Sequence, residues 1–600
     1  MSNFKTVLIE ESMIADLTSE ETFGVYSGGA EKTLQKFLAT SASNNSLIWN
    51  VQVPSENVVV SRHPLIQSDI NFTITIPVGN NIPNGAMAFN YGESDSFGAF
   101  PLQSLFTNYS VMINNTSITT NLQDILPQVC QMYEKRQLTR HNSTTASLPD
   151  NTLGWLSDMV GGNANVMSSI NEMSYDSDFA PRGCFAMTGI FPERSIAGAY
   201  VDNSLVATGD ANQSWKIYCF ATVCEPFLAL SPFCDLHSDN TSGLIGVNTI
   251  TLTANVDTSC KRLWSTASNV GIVAGAITCP IGSISLGTAG ANPAVGVLPS
   301  TSSSGFQNTY LLMEFLSIQA SQASRMSSKC VVGYMDYPRY ITPSSNLANI
   351  LTGASTSITS QNIQLNSIPD LFIICVRQQM STQTWANTSG FLTINSVSIN
   401  FNNKSGILAS ANAQQLFNLS IKNGSHQAWQ EFSGKYSQNI LAGTGNNVPS
   451  IGSLLVLNPS LDFGLDDFLS ASSLGQFNFM LQVSCTNQYG YTVQPEVVVI
   501  CANSGLFITE AGVSQTYQGI LTKQDVLNAK SERPVIDTQE YQRLVGGKLS
   551  NVGMGRVLKQ IRKHATMKGV SVGGGLVGGG LVGGLHHHKG HHKGKLGKYL

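Results

Sequence analysis

Alternation of apolar and polar side chains is the strongest pattern along the chain. Ile70-Asn-Phe72-Thr-Ile74-Thr-Ile76 puts its apolar set on one side, as a half-buried strand requires. Residues 250–256 (Ile-Thr-Leu-Thr-Ala-Asn-Val), Val397 to Phe401 and Phe477 to Val483 repeat the pattern. Shorter strand-like runs lie between them, among them Leu47 to Val53, Trp215 to Thr222, Leu371 to Arg377 and Val497 to Cys501, separated by turn residues at sandwich-like spacing. Helical periodicity is confined to Leu122 to Tyr133, part of Leu153 to Met173, Ala411 to Ile421 and two segments near the C-terminus. The pattern predicts an all-β protein with two tandem β-sandwiches and a few short helices. Its expected division is an N-terminal arm (1–44), a first sandwich (45–264), a linker or insertion loop (265–304), a second sandwich (305–510), a C-terminal extension (511–547) and a basic tail (548–600).

One short recurring motif points to a duplication beneath this division, although chance can supply Asn-Asn-X-Ser in so Asn-rich a chain. Ile113-Asn-Asn-Thr-Ser117 leads into the helix near Leu122, and Phe401-Asn-Asn-Lys-Ser405 leads into the helix near Ala411, about half the body later. Val270 to Pro299, the longest weakly polar stretch, is broken by Gly271, Gly275, Pro280, Gly282 and Pro293 and reads as a loop.

Composition changes the picture in three ways. The chain has 600 residues, more than one core organises. Only 12% of them are charged, against roughly 25% in an ordinary globular chain. Low charge suits large contacts between subunits, because desolvating an unpaired charge is expensive. Second, the 11 Cys are scattered without paired spacing, which favours free thiols in a reducing compartment. Met1 to Phe23 carries Glu10, Glu11, Asp16, Glu20 and Glu21, so it lacks the apolar core of a secretory signal. The Asn-X-Ser/Thr triplets at Asn71, Asn108 and Asn115 therefore need no glycan. Third, none of the 37 acidic residues falls in the last 60 positions, which hold 11 of the 33 Lys and Arg and six of the ten His. A basic appendage on an acidic β-body suggests an assembling shell with an inward-facing tail.

Several segments resemble a known family in the order they occur. Asp95-Ser-Phe-Gly-Ala-Phe100-Pro101-Leu-Gln-Ser104-Leu, Glu225-Pro-Phe-Leu-Ala-Leu-Ser-Pro232-Phe233, Gly243-Leu-Ile-Gly-Val-Asn248 and Arg262-Leu-Trp264-Ser are similar to the first jelly roll of virophage and polinton-like major capsid proteins. Ile363-Gln-Leu-Asn-Ser-Ile-Pro369-Asp370, Ser396-Val-Ser-Ile-Asn-Phe-Asn-Asn403-Lys-Ser-Gly406 and Gln414-Gln-Leu416 resemble the second roll of this double jelly-roll lineage, which includes the adintoviruses. The likeness covers most of 45–505. It implies two eight-stranded jelly rolls side by side, a homotrimer forming a pseudo-hexagonal capsomer, and capsomers tiling an icosahedral shell with penton and minor capsid proteins. A virion component made inside the host cell follows. Within the matched segments, Trp49, Trp215 and Trp264 are expected to be core or interface anchors.

The tail falls outside the family pattern. Ser531 to Gly547 is predicted to be helical, with Asp537, Glu540 and Arg543 on its polar side. Met554 to His564 forms a second, basic helix with Val557, Leu558 and Ile561 on one side. Arg556, Lys559, Arg562 and Lys563, with Lys568, Lys589, Lys593, Lys595 and Lys598, are candidate contacts to packaged DNA or an internal membrane. Packing under the capsomer or on a minor capsid protein is the alternative. Leu544-Val-Gly-Gly547 recurs as Leu576-Val-Gly-Gly579 and Leu581-Val-Gly-Gly584. The triple resembles sites cut by adenovirus-type maturation proteases, which makes Gly547, Gly579 and Gly584 candidate cleavage positions. A Gly-rich linker is the plain reading of the same residues.

Enzyme motifs do not assemble. Cys234-X-X-His237 has no second pair for zinc, and Asp466-Asp467 suits a helix start better than paired acid–base work. Ser433-Gly-Lys435 lacks the upstream Gly of a phosphate loop, and Gly443-Thr-Gly445 lacks the third Gly of a dinucleotide turn. His586, His587, His588, His591 and His592 have no acidic or Cys partners, so no metal or other cofactor is expected. A penton, spike or minor capsid protein of tandem sandwiches is the second reading. A β-sandwich lectin or carbohydrate-active enzyme is the third.

Overall fold

The structure is a computed structural model. It describes residues 5–8, 23–26, 30–55, 58–76, 95–98, 100–134, 189–190, 200–201, 215–233, 243–266, 281–288, 302–318, 329–343, 349–385, 387–388, 390–437, 447–465, 469–518 and 521–522.

The first sandwich is built from β1 (Ala30–Leu38), β2 (Ser46–Gln52), β3 (Leu65–Ile76), β4 (Phe106–Ile113), β5 (Thr116–Thr120), β6 (Trp215–Pro226), β7 (Thr249–Val256) and β8 (Phe306–Ile318). One sheet runs β5-β4-β7-β2 and the other β6-β3-β8-β1, with shorter strands at their margins. Period-two alternation drives Leu47, Trp49 and Val51 of β2 against Ile66, Ile70, Phe72 and Ile74 of β3, in one apolar core. Trp264 is buried there, its ring 5.8 Å from Phe72. Two short helices, α1 (Pro101–Ser104) and α2 (Leu122–Cys130), sit at its end.

The second sandwich contains β9 (Lys329–Asp336), β10 (Arg339–Pro343), β11 (Ser355–Thr359), β12 (Ile363–Ser367), β13 (Leu371–Gln378), β14 (Thr393–Phe401), β15 (Lys404–Ile407), β16 (Leu455–Leu457), β17 (Ser473–Thr486), β18 (Pro495–Glu510) and β19 (Val513–Gln518). Its sheets run β15-β14-β17-β11 and β16-β13-β18-β9, with β10 also paired to β18. Its own core includes Phe372, Phe401, Phe479 and Leu481. Helices α3 (Ala413–Lys422) and α4 (Trp429–Phe432) follow the β14–β15 hairpin.

The strand orders of the halves match one for one, so the suspected duplication is a repeat of topology. Its Asn-Asn signature has a physical cause. Asn114 and Asn402 each turn a hairpin at φ +51° and +52°, the left-handed region that Asn tolerates better than most residues. Each then uses its carboxamide to pin the neighbouring strand. Asn248 N donates to Asn114 Oδ1 at 2.8 Å, and Asn478 N donates to Asn402 Oδ1 at 2.8 Å.

The expected boundaries shift in three places. Phe306–Ile318, placed at the start of the second sandwich, completes the first, because Leu311, Met313 and Phe315 enter its core. Ala30–Leu38, placed in the arm, is an edge strand on β8. Val513–Gln518, placed in the extension, pairs with β18. The first sandwich closes only after the glycine-rich stretch at 265–304. Within that region Ser283–Leu286 forms a short strand on β3, where a loop was expected. The predicted helix in Leu153 to Met173, both tail helices, Cys234, His237, Asp466, Asp467 and Gly443 to Gly445 lie outside the described residues.

Candidate functional site: the junction of the two sandwiches

Helix α2 is apolar at Leu122, Ile125, Leu126 and Val129, which anchor it to the first sandwich. Asp124 and Gln128, four residues apart on one face, turn towards the second. The facing sheet is β16-β13-β18. Phe372, Ile374 and Val376 of β13 point into the second core, while Ile373 and Cys375 join the core of the first. In β18, Val497 and Val499 face their own core, and Val498 and Ile500 face the junction. This sheet is buried on both sides, which is why Leu371–Val376 and Val497–Cys501 read as unbroken apolar runs.

Charges sit inside this apolar contact. Arg377 Nε donates to Glu496 Oε1 at 2.7 Å and its Nη2 to Asp124 Oδ1 at 2.8 Å. Arg339 Nε donates to the other Asp124 oxygen, and Arg262 Nη1 to the Gln123 carbonyl. Arg377 is 2% exposed. Burial raises the Asp124 carboxyl, but Arg377 and then Arg339 outweigh it and hold it below the ordinary carboxylate value. Burial lowers Arg377, but Glu496 and Asp124 reverse the sign and keep it charged. Arg262, buried and beside Arg377, is lowered to about 10. A buried network of this kind adds little net stability over apolar packing. Removing one partner, however, strands the others and costs about 3–5 kcal/mol. It therefore fixes the registration of the two halves.

A second contact lies along β9, β18 and β19. Val332, Tyr334 and Phe507 of the second half pack into the first core. Met335 N donates to Ser231 Oγ at 2.9 Å and Cys330 Sγ to the Gly243 carbonyl at 3.4 Å. Ser514 N donates to Asn115 Oδ1 at 2.8 Å, while Thr116 Oγ1 donates to the Ser514 carbonyl at 2.6 Å. The C-terminal strand thus ties the β4–β5 hairpin of the first sandwich to β18 of the second.

Three of the segments that carry the resemblance converge near the junction. Glu225, at the end of β6, accepts from Leu102 N at 3.1 Å and Gln103 N at 3.0 Å in α1. Gln103 donates to the Pro226 carbonyl and accepts from Leu228 N at 2.8 Å and the Tyr109 hydroxyl at 2.5 Å. Gly98 N donates to the Leu263 carbonyl at 2.9 Å. A Cβ at Gly98 would stand 2.3 Å from the Arg262 carbonyl, so only glycine permits the approach. Burial raises the Glu225 carboxyl to about 7 despite the two backbone donors.

The chemistry of these groups is structural. None of the eight described cysteines is in a disulfide, and burial raises each thiol above its ordinary range, so thiolate is scarce. Among the described residues no three His, Cys, Asp or Glu converge for a metal, and no helix is long and apolar enough to cross a membrane. The candidate tail contacts (Arg556 to Lys598), the candidate cleavage positions Gly547, Gly579 and Gly584, and the histidine cluster all lie outside the described residues. Sequence reasoning missed Asp124, Arg262, Arg339, Arg377 and Glu496. For two of them the signal was a charge at the end of an apolar run, Arg377 after Val376 and Glu496 before Val497.

Known proteins share this fold. Residues 2–316 match a family model described as the first domain of the Sputnik virophage major capsid protein, and residues 337–505 match the C-terminal domain of major capsid protein V20. A Sputnik virophage protein named "Putative capsid protein V20" is 24% identical over 553 residues, spanning 90% of this chain and 84% of its own length. The cryo-EM structure of the Sputnik virophage superposes with a TM-score of 0.65 at 22% identity, covering 90% of this chain and 99% of that one. The mavirus major capsid protein does so with a TM-score of 0.58 at 13% identity, covering 83% of this chain and 93% of that one.

Proposed function

The chain belongs to the Sputnik virophage major capsid protein family, and from that premise we propose that it is the major capsid protein of a virus-like particle. It self-assembles as pseudo-hexameric trimers, and these tile an icosahedral shell. The observation that carries this reading is the duplicated sandwich locked by a buried junction. Such a unit presents two similar lateral blocks in fixed relation, as a hexagonal tile made from three chains requires.

The finer assignments rest on sequence. Eleven basic side chains without a single acid in the last 60 residues favour an inward tail against packaged DNA or an internal membrane. The three Leu-Val-Gly-Gly sequences favour trimming by a viral maturation protease. Neighbouring capsomers, penton and minor capsid proteins complete the partner set, and the protein is made in the host cell before entering the virion.

Size-exclusion chromatography with light scattering tests the core of this reading. The expected mass is three times the 64.2 kDa chain, with flat hexagonal sheets in negative stain. A chain that stays monomeric, or forms pentamers, overturns it. On purified particles, intact mass separates a trimmed tail, ending at Gly547, Gly579 or Gly584, from a full-length one.

A further inference from the structure

Helix α2 contains Pro127, which has no N–H to offer the Gln123 carbonyl four residues back. Arg262, in the turn after β7, fills that place through Nη1. Arg377 of β13 is held at the next position, Asp124, through Nη2. Two guanidinium groups, one from each half, are thus tethered at consecutive residues of one helix. About one turn further along, roughly 5.4 Å, Gln128 reaches Cys375, on the same face of β13 as Arg377. All three side chains are buried, Arg262 at 6%, Arg377 at 2% and Gln128 at 0% exposure. Yet Arg262 Nη2, Arg377 Nη1 and Gln128 Oε1 have no hydrogen-bond partner among the described residues. A buried guanidinium N–H left unmet is costly, and two of them on one helix point to a bound partner.

Charge decides what kind of partner that is. The hydrogen-bonded network sets Arg262, Arg339 and Arg377 against two carboxylates, Asp124 and Glu496. A third carboxylate, Asp257, acts on Arg262 from a half-buried position where water screens it, and accepts from Gln123 instead. The positive excess shows in Arg262, which burial and then Arg377 push down to about 10. The Gln128 amide points the same way. With Nε2 donating to Cys375 Sγ, both Oε1 and the thiol S–H are left over. Turning the amide over lets the S–H donate to Oε1 and brings Nε2 round as a third free donor. Burial raises that thiol to about 11, so its proton is there to donate.

We propose that Arg262 Nη2, Arg377 Nη1 and Gln128 Nε2 bind one small monovalent anion, of the size of chloride, between the two sandwiches. Three N–H donors suit a halide. Phosphate or a carboxylate is too large for a contact close-packed with Ile373, Cys375 and Val498. The anion neutralises the excess charge and ties α2 and the turn after β7 to β13. It belongs to the native seam only, so it leaves when the chain unfolds and stabilises the fold by mass action. The site lies within one chain, and its test is independent of how copies assemble.

The test compares melting of the full chain in sodium chloride or bromide with melting in sodium gluconate at equal ionic strength, gluconate being too large to enter. The wild type is expected to melt higher in halide, with a gain that grows with the logarithm of the halide concentration. Gln128→Glu brings its own carboxylate to the two guanidinium groups. It is expected to melt in gluconate as high as the wild type does in halide, and to lose the halide response. Crystals grown in bromide are expected to show an anomalous peak within hydrogen-bonding reach of Arg262 and Arg377. Equal melting of the wild type in halide and gluconate, a halide gain undiminished in Gln128→Glu, or a site filled only by water would overturn the proposal. If Gln128→Glu does not fold, the wild-type melting series and bromide peak decide together: both present uphold the site, and either one absent removes it.

Discussion

Two carboxylates, Glu225 and Asp124, set opposite pH limits on the fold. Glu225 titrates near about 7 instead of 4.5 because it is buried. Its raised value favours the folded state fully below about 4.5, and that benefit is lost as pH rises through about 7. Asp124 is lowered, so its contribution is present above the ordinary carboxylate value and is lost as the solution is acidified through its depressed one. The expected melting temperature peaks in mildly acidic solution. Glu225→Gln should flatten the decline between pH 4.5 and 7 while leaving the acid limb in place. An unchanged slope in that window would show that Glu225 does not cause it. Neither residue announced itself in the sequence, because a lone acid gives no sign of burial until the strand or helix holding it has been placed.

At the scale of elements, the alternating strands were plain. Ile250–Val256 and Phe477–Val483 each bury one face, whereas Ile70–Ile74 buries its polar Asn71 and Thr73 as well. The runs at 371–377 and 497–501 showed strands but hid their two-sided burial, since periodicity vanishes when both faces are covered. The Asn-Asn hairpins were legible as a repeat, and the structure supplies their mechanics. Replacing Asn114 or Asn402 by Ala removes a side-chain acceptor and forces Ala into the left-handed region. The expected cost is about 1–3 kcal/mol in urea unfolding. Asn→Gly at the same sites should recover the backbone part of that loss and not the hydrogen bond. Equal losses for Ala and Gly would mean that the conformation at the turn contributes nothing.

For the whole molecule, two sandwiches were readable from spacing and composition, but their seam was not. The first half borrows Phe306–Ile318 from beyond a long glycine-rich stretch, and the second buries Ile373, Val498 and Ile500 against its twin. A second half expressed alone would expose those side chains. It should bind a hydrophobic dye and aggregate, and co-expression with residues 1–318 should restore solubility. A soluble, dye-silent fragment would mean that the seam is dispensable. One strand has a mechanical consequence for the particle. Strand β18 holds β13 over Pro495–Ala502 and β9 over Asn503–Glu510. At about 3.3 Å per residue it is a continuous beam of roughly 50 Å along the second block, with Val498, Ile500 and Phe507 packed into the core of the first. Flexing one block against the other would pull those three side chains out of the first core. A shell of such tiles must therefore take up its curvature at the hinges between neighbours, with each polypeptide remaining as stiff as a paving stone.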